Sequence, residues 1–163
     1  MDELTLLRIG KAHPSIREEL TKQYIECNNR LPHGVRLRFS WVFRTHEEQN
    51  KLYNQRPKVT NAKGGQSIHN YGLAFDIVIL YDLDGNGTFE TASWEEDKYW
   101  NRVVTYFKQK GYEWGGDWLN FKDKPHFQKT YGNNWRTLND KIVNGFIITD
   151  DDGTIYPALT YPN

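Results

Sequence analysis

One stretch of nine residues restricts the possible folds of this chain more than any other feature. Residues 73–81 read LAFDIVILY, a nearly continuous apolar run. Such a run is typical of a strand that is buried on both faces, and it is much shorter than the roughly 18 apolar residues of a membrane-spanning helix. We therefore expect a central strand here and no insertion into a membrane.

Weaker patterns indicate further strands and several helices around this central strand. Residues 35–43 alternate between apolar and more polar side chains, as a half-buried strand does. Residues 125–128 predict a short strand after a turn, and the pair Asp152-Gly153 predicts a final hairpin. Capping boxes, in which a hydroxyl and a later carboxylate bind free amides of the first helical turn, predict helices that begin at Ser15, Thr45 and Ser93.

These elements follow one another in the order α, β, α, β, α, β, β. The order predicts an α+β fold in which helices pack to one side of a small, mainly antiparallel sheet. A length of 163 residues suits one compact domain, so we expect a single domain over residues 1–163. The single cysteine, Cys27, excludes an internal disulfide and lies on the expected core face of the first helix.

The composition argues against some classes of function. Lys and Arg together number 21, as do Asp and Glu, so the formal net charge is zero and we expect no nucleic-acid partner. Aromatic residues make up 15% of the chain, which argues against disorder. The N-terminal residues lack the basic and then apolar pattern of a secretory signal. We expect a monomer that is made in the cytoplasm and that leaves it, if at all, without a cleaved signal.

Polar residues with metal-binding side chains lie beside the central strand and the short strand. His69 precedes the central strand and Asp76 lies within it, and zinc prefers nitrogen and carboxylate oxygen of this kind. A catalytic zinc ion has three protein ligands. Among the other histidines, His126 has the most suitable context, because it follows a turn rich in glycine and tryptophan. Asp123 lies close enough in sequence to act as a general base beside the metal.

Two motifs resemble a known family of peptidases. The stretch SIHNYGLAFD, residues 67–76, matches S-x-H-x-x-G-x-A-x-D, and DKPHFQ, residues 123–128, matches D-x-x-H. Both are similar to motifs of the zinc peptidases that cut peptidoglycan stem peptides. That group contains D-alanyl-D-alanine carboxypeptidases and phage L-alanyl-D-glutamate endopeptidases. The resemblance extends over most of the chain and implies the fold that these peptidases share with hedgehog proteins.

The resemblance implies a role for each polar residue of the two motifs. It makes His69, Asp76 and His126 the ligands of one catalytic zinc ion, and it makes Asp123 the catalytic base. Arg44 lies in a stretch similar to the family's arginine-bearing junction between a strand and a helix, so it is expected to bind a substrate carboxylate or the developing oxyanion. Further candidates for substrate contact, with a structural role as the alternative, are Ser67, Tyr71 and Trp114.

Position 123 bears on the choice between the activities in this family. The carboxypeptidase members usually have Glu there, whereas the endopeptidases usually have Asp, as this chain does. The residue favours hydrolysis of the L-alanyl-D-glutamate bond, as in phage lysis enzymes that reach the wall through a holin. A D-alanyl-D-alanine carboxypeptidase is the first alternative, and a non-catalytic zinc-containing module that binds the cell wall is the second.

A loop after the central strand has a second metal-binding pattern. Residues 82–87, DLDGNG, fit the first half of an EF-hand loop, in which alternate residues supply oxygen ligands to calcium. The twelfth position of the loop is Ser93 rather than the usual Glu. We expect a calcium loop, with an ion-free polar loop as the alternative. The expected ligands are Asp82, Asp84, Asn86, Thr88 and Glu90.

Overall fold

The computed structural model describes residues 1–160, and its central element is a five-stranded antiparallel sheet. The apolar run predicted as the central strand is indeed at the centre, where it pairs with three other strands. The strands of this sheet are β1 (Val35–Trp41), β2 (Ala74–Tyr81), β3 (Thr91–Ser93), β4 (Glu113–Trp114) and β5 (His126–Gln128). β2 pairs with β1, β3 and β5, and β4 completes the sheet beside β5.

Helices and a separate hairpin surround the sheet. The helices are α1 (Glu3–Ile9), α2 (Arg17–Asn29), α3 (His46–Asn54), α4 (Lys98–Gln109) and α5 (Trp135–Val143). Strands β6 (Ile147–Thr149) and β7 (Ile155–Pro157) form the hairpin predicted at Asp152-Gly153. The α+β class is confirmed, although the sequence patterns give no sign of α1, α5, β3 or β4. No helix within residues 1–160 has the length and apolar character needed to cross a bilayer.

One of the three predicted capping boxes forms, and two predictions of a helix start are wrong. Thr45 and Glu48 cap α3 reciprocally, as expected. Ser93 lies in β3 because it pairs with the central strand, so α4 begins later, where the Asp97 carboxylate accepts from two amides of the first turn. Ser15 lies in a backbone turn that precedes α2, and α2 begins without a side-chain cap.

The two faces of the sheet have different roles. On one face, the rings of Phe39, Phe75 and Phe127 stack across β1, β2 and β5, with centroid distances of 4.2 and 5.2 Å. Helices α2 and α4 cover these rings. Burial of each such side chain stabilises the fold by about 1.5–3 kcal/mol. Because side chains alternate along a strand, Asp76 and His126 project from the opposite face.

A β-bulge moves one tryptophan from the core face to this polar face. β1 pairs Phe39 with Ile77, but the next paired residue is Trp41, which lies opposite Asp76. One extra residue in β1 therefore interrupts the alternation predicted for this strand. Trp41 joins the polar face as a result, and Val42 is buried instead.

Candidate active site

The three predicted metal ligands meet at one point of the polar face. His69 lies in a 3-10 turn (Ile68–Tyr71), Asp76 in β2 and His126 in β5. Asp76 Oδ1 lies 3.1 Å from His69 Nε2 and 3.1 Å from His126 Nδ1. The three ligand atoms lie within 4.8 Å of one another, and no other group of three or more His, Cys, Asp or Glu residues within residues 1–160 is placed to hold a metal ion.

Sheet register and a tight turn bring these side chains together. His126 is directly opposite Asp76 in the pairing of β2 with β5, so both project from the same face. The Ser67 hydroxyl accepts from the His69 amide and holds the turn, which ends at Gly72 with a φ of 72°. A Cβ at Gly72 would lie 2.4 Å from a backbone nitrogen in the connection between α1 and α2. The turn therefore requires glycine at this position.

Hydrogen bonds of the two imidazoles determine which ring nitrogen carries the proton. His69 Nδ1 lies 2.8 Å from the Val42 carbonyl oxygen, which only accepts, so His69 Nδ1 donates. His126 Nε2 lies 2.8 Å from Gln128 Oε1 and donates to it. In the neutral rings, the lone pairs of His69 Nε2 and His126 Nδ1 then both point at Asp76 Oδ1. At 3.1 Å these lone pairs repel those of the Asp76 oxygen. A proton or a cation must therefore lie between the imidazole nitrogens and the carboxylate.

This set of donor atoms fits zinc. Two neutral imidazoles and one carboxylate are typical ligands of a catalytic Zn²⁺, which keeps a further position for water or substrate. Burial raises the pKa of Asp76, but the charge of His69 and the hydrogen bonds with both imidazoles lower this pKa, and the net shift is downward. Burial lowers the pKa of His69. Asp76 is therefore ionised and His69 neutral, which are the forms that bind metal. Burial lowers the pKa of His126, but the hydrogen bond with Asp76 and the charge of Asp76 raise it, and the net shift is upward, so a metal ion competes with a proton at His126.

Asp123 lies beside the three ligands without joining them. Its Oδ2 atom is 4.0 Å from His126 Nδ1, and 49% of its side chain is exposed. Burial and the negative charge of Asp76 raise the pKa of Asp123, and nearby cationic groups only partly offset the rise. A general base needs both this proximity to the reacting atoms and a pKa shifted toward neutrality.

Contacts in the WGGD stretch hold the loop that carries Asp123. The Asp123 amide donates to the Gly115 carbonyl oxygen at 3.0 Å. A Cβ at Gly115 would lie 2.2 Å from the Asp123 carbonyl oxygen, which is closer than van der Waals contact permits. Trp114 Nε1 donates to the Lys124 carbonyl oxygen at 2.7 Å. A glycine and a tryptophan thus position the candidate base through its backbone.

Arg44 extends into the same site and is oriented by two neighbours. Its guanidinium donates to Gln49 Oε1 at 2.9 Å and lies over the Trp41 ring, 4.4 Å from the centroid. A terminal nitrogen of Arg44 is 3.8 Å from Asp76 Oδ2. The side chain is buried, and its Nε–H has no hydrogen-bond partner within residues 1–160. A buried cation with a free donor is suited to bind a carboxylate or an oxyanion.

Of two further candidates for substrate contact, Ser67 faces the cleft and Tyr71 does not. Ser67 lines the cleft that contains His69. Tyr71 is fully buried, and its hydroxyl donates to the Gly65 carbonyl oxygen at 2.5 Å. The expected substrate contact of Tyr71 is therefore corrected to a structural role, because its ring is buried and its hydroxyl binds the backbone.

The cleft around these residues has a volume of about 420 Å³. Trp118 forms part of its wall, with its ring centroid 5.4 Å from that of His126. Trp114 supports the Asp123 loop through its indole hydrogen bond, and its expected substrate contact stays a prediction. Beyond Asp123 the cleft continues into a larger trench of about 770 Å³, which shares six lining residues with it, Trp118 and Asp123 among them.

Sequence patterns give no sign of two glutamines that hold this site. Gln49 is fully buried and accepts from Arg44, while Gln128 accepts from His126. Neither residue belongs to a metal-binding or catalytic motif. The available signal for Gln128 is its spacing, because a residue two positions after His126 on a strand shares its face.

Oxygens of the predicted calcium loop bind the backbone of the loop itself. Asp82 accepts from the amides of Asn86 and Gly87, at 3.1 and 2.9 Å. Asn86 accepts from the Thr88 amide at 2.8 Å, and the Thr88 hydroxyl donates to Glu90 at 2.5 Å. These contacts satisfy the loop oxygens internally, and calcium binding stays a prediction.

Comparison with known proteins identifies relatives for most of the chain. The sequence profile of a family described as D-alanyl-D-alanine carboxypeptidase matches residues 60–129, which include the three candidate ligands and Asp123. The peptidoglycan L-alanyl-D-glutamate endopeptidase CwlK of Bacillus subtilis is 36% identical over 128 residues, covering 71% of this chain and 72% of the relative. The L-alanyl-D-glutamate peptidase of Listeria phage A118 is 32% identical over 98 residues, covering 60% of this chain and 32% of the phage protein.

A solved structure has the same fold. The L-Ala D-Glu endopeptidase ChiX of Serratia marcescens superposes with a TM-score of 0.53 at 24% sequence identity. The match covers 78% of this chain and 86% of that chain. The shared fold agrees with the fold that the two sequence motifs imply.

Proposed function

The chain belongs to the D-alanyl-D-alanine carboxypeptidase family of peptidases, and on this basis we propose that it is a zinc-dependent endopeptidase that hydrolyses the L-alanyl-D-glutamate bond of peptidoglycan stem peptides. One observation carries the proposal. His69, Asp76 and His126 converge on one point, and Asp123 Oδ2 lies 4.0 Å from His126 Nδ1, in a chain related to L-alanyl-D-glutamate peptidases.

The chemistry divides between the metal and two side chains. When bound by the two histidines and Asp76, zinc supplies a Lewis acid that polarises the scissile carbonyl and lowers the pKa of water toward about 7. Asp123 accepts a proton from the attacking water through its carboxylate and donates it to the departing amine. Arg44 donates to the oxygen that gains negative charge, or to the α-carboxylate of D-glutamate beside the scissile bond.

The trench beyond Asp123 provides room for the remainder of the stem peptide. Lys122 and Arg136 line it, and neither has a carboxylate partner within residues 1–160. The Arg136 guanidinium lies over the Trp135 ring, 4.5 Å from the centroid. Stem peptides carry several carboxylates, so these two cations are complementary to the substrate in charge.

A D-alanyl-D-alanine carboxypeptidase is the second candidate, and the description of the matching family favours it. Three observations favour the endopeptidase: Asp rather than Glu at position 123, the activity of both related proteins, and a trench with room for substrate on the far side of the base. The arrangement of Asp123 and Arg44 beside the ligands gives no support to the third candidate, a non-catalytic wall-binding module.

Digestion of purified peptidoglycan tests the proposal. The zinc-loaded protein should create new N-terminal D-glutamate, which mass spectrometry identifies. The variant His126→Ala, which lacks one metal ligand, should create none. Release of free D-alanine instead would identify a carboxypeptidase. No new termini from any type of wall would contradict peptidase activity and favour a binding role.

The proposal has three further parts: calcium binding, action at the cell wall after release from the cytoplasm, and a monomeric state. Isothermal titration calorimetry tests calcium binding. The wild-type protein should release or absorb heat with calcium, and Asp84→Asn should weaken or abolish that heat because it removes one carboxylate ligand. No heat at millimolar calcium would leave the loop as an ion-free polar turn.

A further inference from the structure

We propose that Glu113 and Gln128 act as a pair of positioning residues that set the proton on the metal ligand His126. Gln128 Nε2 donates to Glu113 Oε2 at 2.6 Å, and Gln128 Oε1 accepts from His126 Nε2 at 2.8 Å. The two bonds form one chain that ends at the candidate metal site. The inference rests on the metal site of the proposed function but not on which peptide bond is cleaved.

Sheet register builds this chain. His126 and Gln128 are two residues apart on β5, so both side chains project from the polar face. In the sheet, His126 is directly opposite Asp76 on β2, and Gln128 is directly opposite Glu113 on β4. The same register that brings two metal ligands together thus brings a carboxylate to the amide behind one of them.

Glu113 selects the orientation of the Gln128 amide. A glutamine amide presents either oxygen or NH₂ to a neighbour, and the two orientations have nearly the same shape. The Glu113 carboxylate only accepts, so it holds the NH₂ group and turns Oε1 toward His126. Oε1 in turn only accepts, so the imidazole proton stays on Nε2 and the Nδ1 lone pair is free for the metal. The reverse orientation would move the proton to Nδ1, where it would block the metal.

The tautomer of the second histidine ligand, His69, does not depend on the orientation of another side chain. His69 Nδ1 donates to the Val42 backbone carbonyl, which cannot rotate. His126 is therefore the ligand whose tautomer substitutions can change. Glu113 is exposed and Gln128 is half-buried, so water competes for the hydrogen bonds of both. Because Glu113 is the more exposed residue, its substitution should change zinc affinity less than substitution of Gln128.

Zinc affinity, measured by competition with a chromophoric chelator, tests the chain without any substrate. Gln128→Met keeps the length of the side chain but removes both polar groups, and it should weaken zinc binding by about 10- to 100-fold. Glu113→Ala should weaken it less, in the same direction. Gln109→Met, on the exposed surface of α4, is the matched control and should bind zinc as the wild type does. Thermal melting shows whether each variant is folded.

A swap of the two residues distinguishes positioning from simple packing. In the double variant Glu113→Gln/Gln128→Glu, position 128 provides a carboxylate that accepts from His126. Position 113 provides an amide that donates to this carboxylate. Zinc affinity should return to at least the wild-type value. ¹⁵N spectra of the zinc-loaded wild type should show the His126 Nε2–H protected from exchange with water, and Gln128→Met should lose this protection.

Three outcomes would overturn the inference: wild-type zinc affinity in folded Gln128→Met, no recovery in the swap, or zinc bound through His126 Nε2. Failure of the proposed function would appear elsewhere, as intact peptidoglycan after digestion with a protein that binds zinc normally.

Discussion

At the scale of single residues, Asp123 allows the proposed catalysis to be tested separately from metal binding, because it lies beside the candidate ligands and does not belong to them. Asp123→Asn keeps the size of the side chain and the hydrogen bond of the backbone amide to Gly115, but it removes the carboxylate that accepts a proton. Hydrolysis should fall by about 100-fold or more, since a general base contributes about 10²–10⁴-fold, and zinc content should not change. Because burial and Asp76 raise the pKa of Asp123, wild-type activity should fall on acidification at a higher pH than for an ordinary aspartate. Asp117→Asn, at a half-exposed aspartate that pairs with Lys108, is the control. Full turnover in Asp123→Asn would exclude the role of base.

At the scale of elements, the loop between β4 and β5 positions the candidate base, while β2, β5 and the 3-10 turn position the candidate ligands. Gly115→Ala would place a methyl group 2.2 Å from the Asp123 carbonyl oxygen and force this loop to move. Because a displacement of about 1 Å costs on the order of 100-fold in rate, kcat should fall by that order while zinc affinity changes little. Kinetics with a stem peptide and a chelator titration measure the two quantities. Gly132→Ala, at a φ of 80° where the added methyl group meets no atom within 4 Å, adds backbone strain without a clash and so controls for general destabilisation. Unchanged kcat in Gly115→Ala would mean that the loop adapts without moving the base.

At the scale of the whole molecule, the trench is assembled from three segments that are far apart in sequence, at residues 59–66, 118–123 and 135–136. Its two cations, Lys122 and Arg136, should attract the carboxylates of the stem peptide. Lys122→Gln/Arg136→Gln should raise KM, with kcat nearly unchanged, by up to about fivefold per cation, because exposed ion pairs contribute about 0.2–1 kcal/mol. Added salt should raise the wild-type KM toward that of the variant. Lys51→Gln, which removes an exposed lysine of α3, should leave KM unchanged. Equal KM values for the double variant and the wild type at low salt would place the substrate carboxylates elsewhere.

Several features of this protein follow from the sequence alone because their cause lies in neighbouring residues. The apolar run of residues 73–81 has to be buried, and burial on both faces makes it the central strand. Residue types at short spacing also indicate the chemistry, since histidine and aspartate beside a strand predict a zinc site before any distance is known.

Other features depend on contacts between distant segments, and the tertiary structure alone decides them. Ser93 has the local pattern of a helix cap, yet pairing with Ile79 makes it part of a strand. A bulge places Trp41 on the face opposite to the one that alternation predicts. The link between Glu113 and Gln128 spans 15 positions and exists only because β4 pairs with β5 in one register. A local sequence pattern indicates which conformation a segment prefers. Strand register and burial determine which distant segment it packs against. The sequence therefore indicates the three candidate metal ligands, and only the tertiary structure shows the hydrogen bonds that orient them.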